Sequence, residues 1–198
     1  MLWPARCSDV VMPSHTPRTL SIMLRRSRTM SVTVMLLFIP LLQSLGARSS
    51  LAGSHIRASE PALRVSIADG VAQSASFRRL VTRLETSDVI VYVQTDCTMS
   101  ALVGRLTFMS KAGQRRYVLV RIACGLGQWL EIATLGHELR HAVEIADDAS
   151  VVDQGSLAEM YKRSGFASSL FKTGAGYDSQ VAIETGRRVW DELSSGAE

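Results

Sequence analysis

Residues 127–147 read GQWLEIATLGHELRHAVEIAD. Ile132, Leu135, Leu139, Ala142, Val143 and Ala146 fall on one side at ~100° per residue, the spacing of an amphipathic helix. Asp147-Asp148 end it. His137 and His141 project to the other side, with Glu138 beside the first of them, in an H-E-x-x-H pattern. Imidazoles four residues apart stand one turn apart on a shared face, so both rings reach a single metal ion. Zinc accepts imidazole nitrogen and keeps a position open for water in catalytic sites. A glutamate next to the first histidine can take that water's proton. Of the four histidines in the chain, this pattern uses two of the three beyond residue 46.

Upstream of the helix, VIVYVQT (89–95), LVGRLTFM (102–109) and RRYVLVRIA (115–123) are β-branched and aromatic runs with short connections, the last containing Ala112-Gly113. They predict a three-stranded antiparallel meander. The first and third strands of a meander run the same way, so Cys97 and Cys124 emerge at one end of the sheet. A disulfide between them is the expectation, and two buried free thiols are the alternative. Before the strands, Pro61 opens a helix carrying Leu63, Ile67 and Val71, and Ser76 caps a second carrying Phe77, Leu80, Val81 and Leu84. After the long helix, 155–164 reads as a short helix, 165–177 as loop, and Asp178 as the cap of a last helix. That helix buries Ala182, Gly186, Val189, Trp190 and Leu193. Trp129 also reads as core. The fold class is α+β: a small antiparallel three-stranded sheet packed on the H-E-x-x-H helix, flanked by N- and C-terminal helices in one domain, 61–198.

The 198 residues carry a net charge of +4, from 22 basic and 18 acidic residues. Five arginines and one aspartate lie in 1–46, which leaves 17 of each sign for the rest, a neutral body. The basic footprint of a nucleic-acid binder is therefore missing, and no nucleic-acid partner is expected. Arg25, Arg26 and Arg28 precede the apolar run MSVTVMLLFIPLLQSL (30–45), with small residues Ser44 and Gly46 at its exit. This is the layout of a signal peptide over 1–46, translation starting at Met1, Met23 or Met30. Membrane association is expected only if that leader stays uncleaved. Residues 47–60 read as a linker, and the protein as secreted or periplasmic.

The run His137-Glu138-Leu139-Arg140-His141-Ala142-Val143 resembles the active-site helix of the thermolysin-like gluzincins among the zincin metalloproteases. The resemblance covers about 25 residues and the preceding strand order. It implies a mixed fold, zinc-dependent hydrolysis of a peptide or protein substrate, and an edge strand able to pair with an extended peptide. It puts His137 and His141 at ligand positions and Glu138 at the base position. The third ligand stays open. Gluzincins take a Glu from a later helix, and Glu184 is such a residue. Metzincins place Gly three and His or Asp six residues after the second His; here those positions hold Glu144 and Asp147. Glu144 shares the face of His137 and His141 and leans back toward His141. It is a candidate third ligand or a hydrogen-bond partner of a histidine ring. Asp178 completes the candidates, and Tyr161, Tyr177, Arg187 and Arg188 are candidates for oxyanion stabilisation. The alternative to a zinc metallopeptidase is a non-catalytic extracytoplasmic binding or structural module built on the same helix.

Overall fold

The computed structural model describes residues 54–168 and 176–196. The chain divides into two units, Met1–Gly46 and Ala47–Glu198, and the leader reading of 1–46 lies outside the described residues. The order of elements is β1 (Ile56–Ala58), α1 (Pro61–Gln73), α2 (Ala75–Glu85), β2 (Val89–Asp96), β3 (Gly104–Ala112) and β4 (Arg115–Ala123). These are followed by α3 (Gln128–Asp147), α4 (Gln154–Ser164), β5 (Phe166–Ser168), β6 (Gly176–Asp178) and α5 (Gln180–Ser195).

The sheet corrects the meander. It has four strands in the order β1-β2-β4-β3, with β1, β2 and β4 parallel and β3 antiparallel at the edge. Residues 97–103 carry the chain past the end of β4 to the far edge, and β3 returns through a tight turn at Gly113 (φ 58°). The composition explains the order. Val118, Val120 and Ile122 of β4 are fully buried. Arg105 and residues 109–112 of β3 are exposed, and polar side chains suit an edge. The linker reading of 47–60 is corrected at its C-terminal end, where Ile56 pairs beside Val91 and is buried. Three residues are too few for a period to register.

Parallel pairing of β2 with β4 brings Asp96 opposite Ala123, so Cys97 and Cys124 are the next residues on neighbouring strands. Their Cα atoms are 4.8 Å apart, the spacing between paired strands, and they form a disulfide.

Helix α3 lies against β2, β3 and β4 on one side and against α5 on another. Its apolar residues Ile132, Leu135, Leu139, Ala142, Val143 and Ile145 are all buried, as are Glu138 and His141. The side that carries His137 and His141 is thus covered at His141 and half-open at His137. Arg116 anchors the C-terminus of α3. It is 3% exposed, and its Nη1 donates to the carbonyls of Ile145 (2.6 Å), Asp148 (2.7 Å) and Val151 (3.2 Å). Its other nitrogens form a two-point bond to Asp88, at 2.7 Å each. A guanidinium at a helix C-terminus satisfies unpaired carbonyls and opposes the helix dipole.

The cap assignments shift by a residue or two. Ser74, not Ser76, caps α2 by accepting from Phe77 N–H. Ser76 instead binds Glu192 of α5. Trp129 is 38% exposed and meets Trp190 edge-on near the surface, outside the core.

Arg116→Met should lower unfolding free energy by about 3 kcal/mol, because it strands buried carbonyls and Asp88 together. Urea denaturation measures it. The Arg116 hydrogen bond holds the Asp88 carboxyl below its ordinary pKa. That contribution is present above about pH 4 and is lost as pH falls through the depressed pKa, so the gap between wild type and variant should narrow in acid. Peptide mapping without reductant should recover Cys97 joined to Cys124. Reduction should cost on the order of 3 kcal/mol for a separation of 27 residues.

Candidate metal centre

Three atoms converge beside α3. His137 Nε2 and His141 Nε2 are 3.2 Å apart, and Asp178 Oδ1 lies 3.4 Å from the first and 3.3 Å from the second. Among the described residues, His137, His141 and Asp178 form a group able to hold a metal ion. His141 is buried, while the side chains of His137 and Asp178 are 23% and 22% exposed, so the group opens to solvent on their side.

The two histidines come from successive turns of one helix. Asp178 comes from the end of β6, next to the first residue of the α5 cap. Asp178 was expected to cap α5, but Ser179 does so, accepting from Ala182 N–H at 3.0 Å. Asp178 is thereby free to face α3, with its Oδ1 accepting Ser179 N–H at 2.7 Å. The loop expected over 165–177 contains the short β5–β6 pair that delivers it, with Phe166 opposite Asp178.

Glu144, a candidate third ligand, sits on the other side of the His141 ring. Its Oε2 is 2.9 Å from His141 Nδ1 and accepts the Tyr161 hydroxyl at 2.9 Å, and its Oε1 accepts Ser179 Oγ at 2.7 Å. Arg140 Nε stands 3.6 Å from Oε1, an ion pair too long for a hydrogen bond. Glu184 is exposed and bonds Gln180, and Asp147 pairs with Arg83 at the surface. The atom that meets the two Nε2 atoms is thus Asp178 Oδ1, while Glu144 and Glu184 make their hydrogen bonds elsewhere. Asp178 and Ser179 are both cap-type residues, and only one of two neighbours can cap a helix. That redundancy was the readable signal.

Glu138 is 5% exposed and faces the edge strand. Val103 O accepts from Ala123 N–H, which sets the pairing so that the N–H groups of Leu106 and Phe108 point away from β4. The Leu106 N–H meets the Glu138 carboxylate, and Phe108 N–H donates to Gln154 Oε1. A Cβ on Gly104 would fall 2.6 Å from Glu138 Oε1 and 2.6 Å from Thr134 Cγ2, so only glycine fits where β3 crosses Glu138.

Burial raises the Glu138 pKa, opposed by the charge of His137 and His141. Burial works against a charged His141, but hydrogen bonds with Asp178 and Glu144 outweigh it and push its pKa up to about 10. Burial also opposes ionisation of Asp178, yet hydrogen bonds with both histidines hold it far below the carboxylate range. Of the other polar candidates, Tyr161 is committed to His141 and Glu144, Tyr177 stacks on Tyr161, and Arg187 and Arg188 are exposed.

Comparison with protein families, with curated proteins and with solved structures returns no match for this chain.

Asp178→Ala should weaken binding of a divalent transition metal by at least about 10²-fold, as loss of one of three ligands requires. Glu184→Ala should leave it unchanged. Equilibrium dialysis with elemental analysis compares the two.

Proposed function

We propose that the protein is a small zinc-dependent hydrolase, acting on a peptide or related amide bond outside the cytoplasm. The observation that carries this reading is the triangle of His137 Nε2, His141 Nε2 and Asp178 Oδ1, with sides of 3.2 to 3.4 Å. A tetrahedral zinc with ligand bonds of about 2.0–2.1 Å has edges of about 3.3–3.4 Å. Two imidazoles and one carboxylate suit zinc, and the donor set leaves a fourth position for water or substrate. When bound, zinc would polarise a carbonyl and lower the pKa of a water.

The chain's own residues supply the rest. Glu138 lies next to the first ligand without joining the triangle. Burial makes its carboxylate a stronger base than an exposed one. It takes the proton of the attacking water and returns it to the leaving nitrogen. Leu106 N–H and the wall at Gly104 fix where that carboxylate can stand. The Cys97–Cys124 disulfide supports an oxidising compartment, as does the leader-like run at 30–45. Among the described residues no helix is long and apolar enough to cross a membrane.

One observation favours the alternative of a metal-bearing module without hydrolysis. The outward N–H groups of β3 at Leu106 and Phe108 are already taken by Glu138 and Gln154. An extended peptide added to that edge would have to displace both.

Glu138→Gln separates the two readings. For a hydrolase it should leave metal content and melting temperature near wild type and cut turnover by about 10² to 10⁴. The assay is cleavage of a mixed peptide library, with a chelator control. Chelator-sensitive cleavage at full rate in the variant would overturn the proposed base, and an inert wild type across the library would favour the module.

A further inference from the structure

We infer that Glu144, Ser179 and Tyr161 form a positioning unit that joins the two segments of the metal centre, with Glu144 acting on the metal only through His141. The inference rests on the metal-centre reading above and extends it to residues that touch no metal.

The bonding logic at His141 is restrictive. Nδ1 faces the Glu144 carboxylate at 2.9 Å and the Tyr161 oxygen at 2.7 Å. Tyr161 has one proton, and its hydroxyl donates it to Glu144 Oε2. A carboxylate and a committed hydroxyl oxygen both need a donor from the ring, so Nδ1 carries a hydrogen. In the neutral ring Nε2 then holds the lone pair, and Nε2 is the atom that faces His137 and Asp178. A carboxylate behind a ligating imidazole fixes its tautomer and raises its basicity.

The other oxygen of Glu144 reaches the second segment. Ser179 Oγ donates to Oε1 at 2.7 Å, and Ser179 directly follows Asp178. The same hydroxyl accepts Ala182 N–H as the α5 cap. Glu144 therefore holds the His141 ring with one oxygen and the Asp178–Ser179 backbone with the other. The segments are 34 or more residues apart in sequence, and this carboxylate ties them at the level of the triangle. Both oxygens of Glu144 are engaged on the Nδ1 side of the His141 ring, away from the two Nε2 atoms.

The test uses cobalt(II) as a spectroscopic probe, and zinc affinity by competition with a chromophoric chelator. Wild type, Glu144→Gln, Tyr161→Phe, Ser179→Ala, Ser179→Gly, Asp178→Asn and the Glu144→Gln/Ser179→Ala double variant are compared. Glu144→Gln, Tyr161→Phe and Ser179→Ala should keep one metal per chain and the wild-type visible cobalt bands, with affinity about 10- to 100-fold weaker. Ser179→Gly keeps an acceptable helix cap but cannot donate to Glu144, so its affinity should fall although its melting temperature stays near wild type. The Glu144→Gln/Ser179→Ala double variant should fall no further than Glu144→Gln alone, because Ser179 acts through Glu144. Asp178→Asn should change the bands themselves. Bands altered in Glu144→Gln as in Asp178→Asn would make Glu144 a ligand and overturn the inference. So would wild-type affinity in the three single variants. A wild type that binds neither metal would remove the metal-centre reading, and the inference with it.

Discussion

The closeness of α3 and α5 governs everything else around the site. At two points of their crossing a side chain would force the neighbouring helix to give way. A Cβ on Gly136 would lie 2.9 Å from Val189 Cγ2, and one on Gly186 would lie 3.2 Å from His137 Cβ and 3.4 Å from Ala133 O. Larger residues would hold the helices apart, and the first turn of α5 would move with them. Asp178 and Ser179 sit just before that turn, so the crossing distance sets how far Asp178 Oδ1 stands from the two imidazoles. Glu192, near the other end of α5, accepts from Ser74 Oγ, Ser76 N–H and Ser76 Oγ at 2.6 to 2.9 Å. The helix is therefore pinned at both ends, by a cap shared with α2 and by the hydroxyl bonded to Glu144.

The second constraint is charge. A buried charge without a partner is costly, and the middle of this domain holds Glu138, Glu144 and Asp178 close together. His141 is the positive group among them, with Arg140 at the margin. Three carboxylates around two imidazoles make a field that favours a cation at the centre. Without metal the field is answered by a proton on His141, whose pKa rises to about 10. A divalent ion would answer it more fully. At the C-terminal end of α3 a separate buried charge, Arg116, pairs with Asp88 and satisfies carbonyls that would otherwise face the interior unpaired.

Much of this was legible in the sequence because it is local. The bounds of α3 follow from a 3.6-residue period sustained over 20 residues, and the strands from β-branched runs. The juxtaposition of His137 with His141 is a property of helical spacing alone. Strand order was not legible. Seven residues between β2 and β3 allow either a hairpin or a step across the end of β4, and nothing local distinguishes them. The polarity of β3 was the hint, since exposed Arg105 and Lys111 belong at an edge. The third member of the triangle was obscured by a different ambiguity. Asp178 and Ser179 both suit a helix cap, and tertiary contact with Glu144 decides between them. Disulfide pairing survived the error in topology because both arrangements run β2 and β4 in the same direction, so Cys97 and Cys124 share an end either way.

The edge strand ties these constraints to chemistry. In an antiparallel pair every second residue turns its N–H and C=O outward, and on β3 those residues include Leu106 and Phe108. Leu106 N–H holds Glu138, and Gln154, at the start of α4, closes Phe108. An open edge invites pairing with another chain, and side-chain acceptors protect it without adding a strand. The same protection makes the position of Glu138 depend on the edge being unpaired. A backbone that came to lie along β3 would compete for Leu106 N–H, and the carboxylate would then need another hydrogen-bond donor. The contact that keeps the edge from aggregating is thus the one that a bound chain would break, and breaking it would leave Glu138 buried with a raised pKa and in need of a donor.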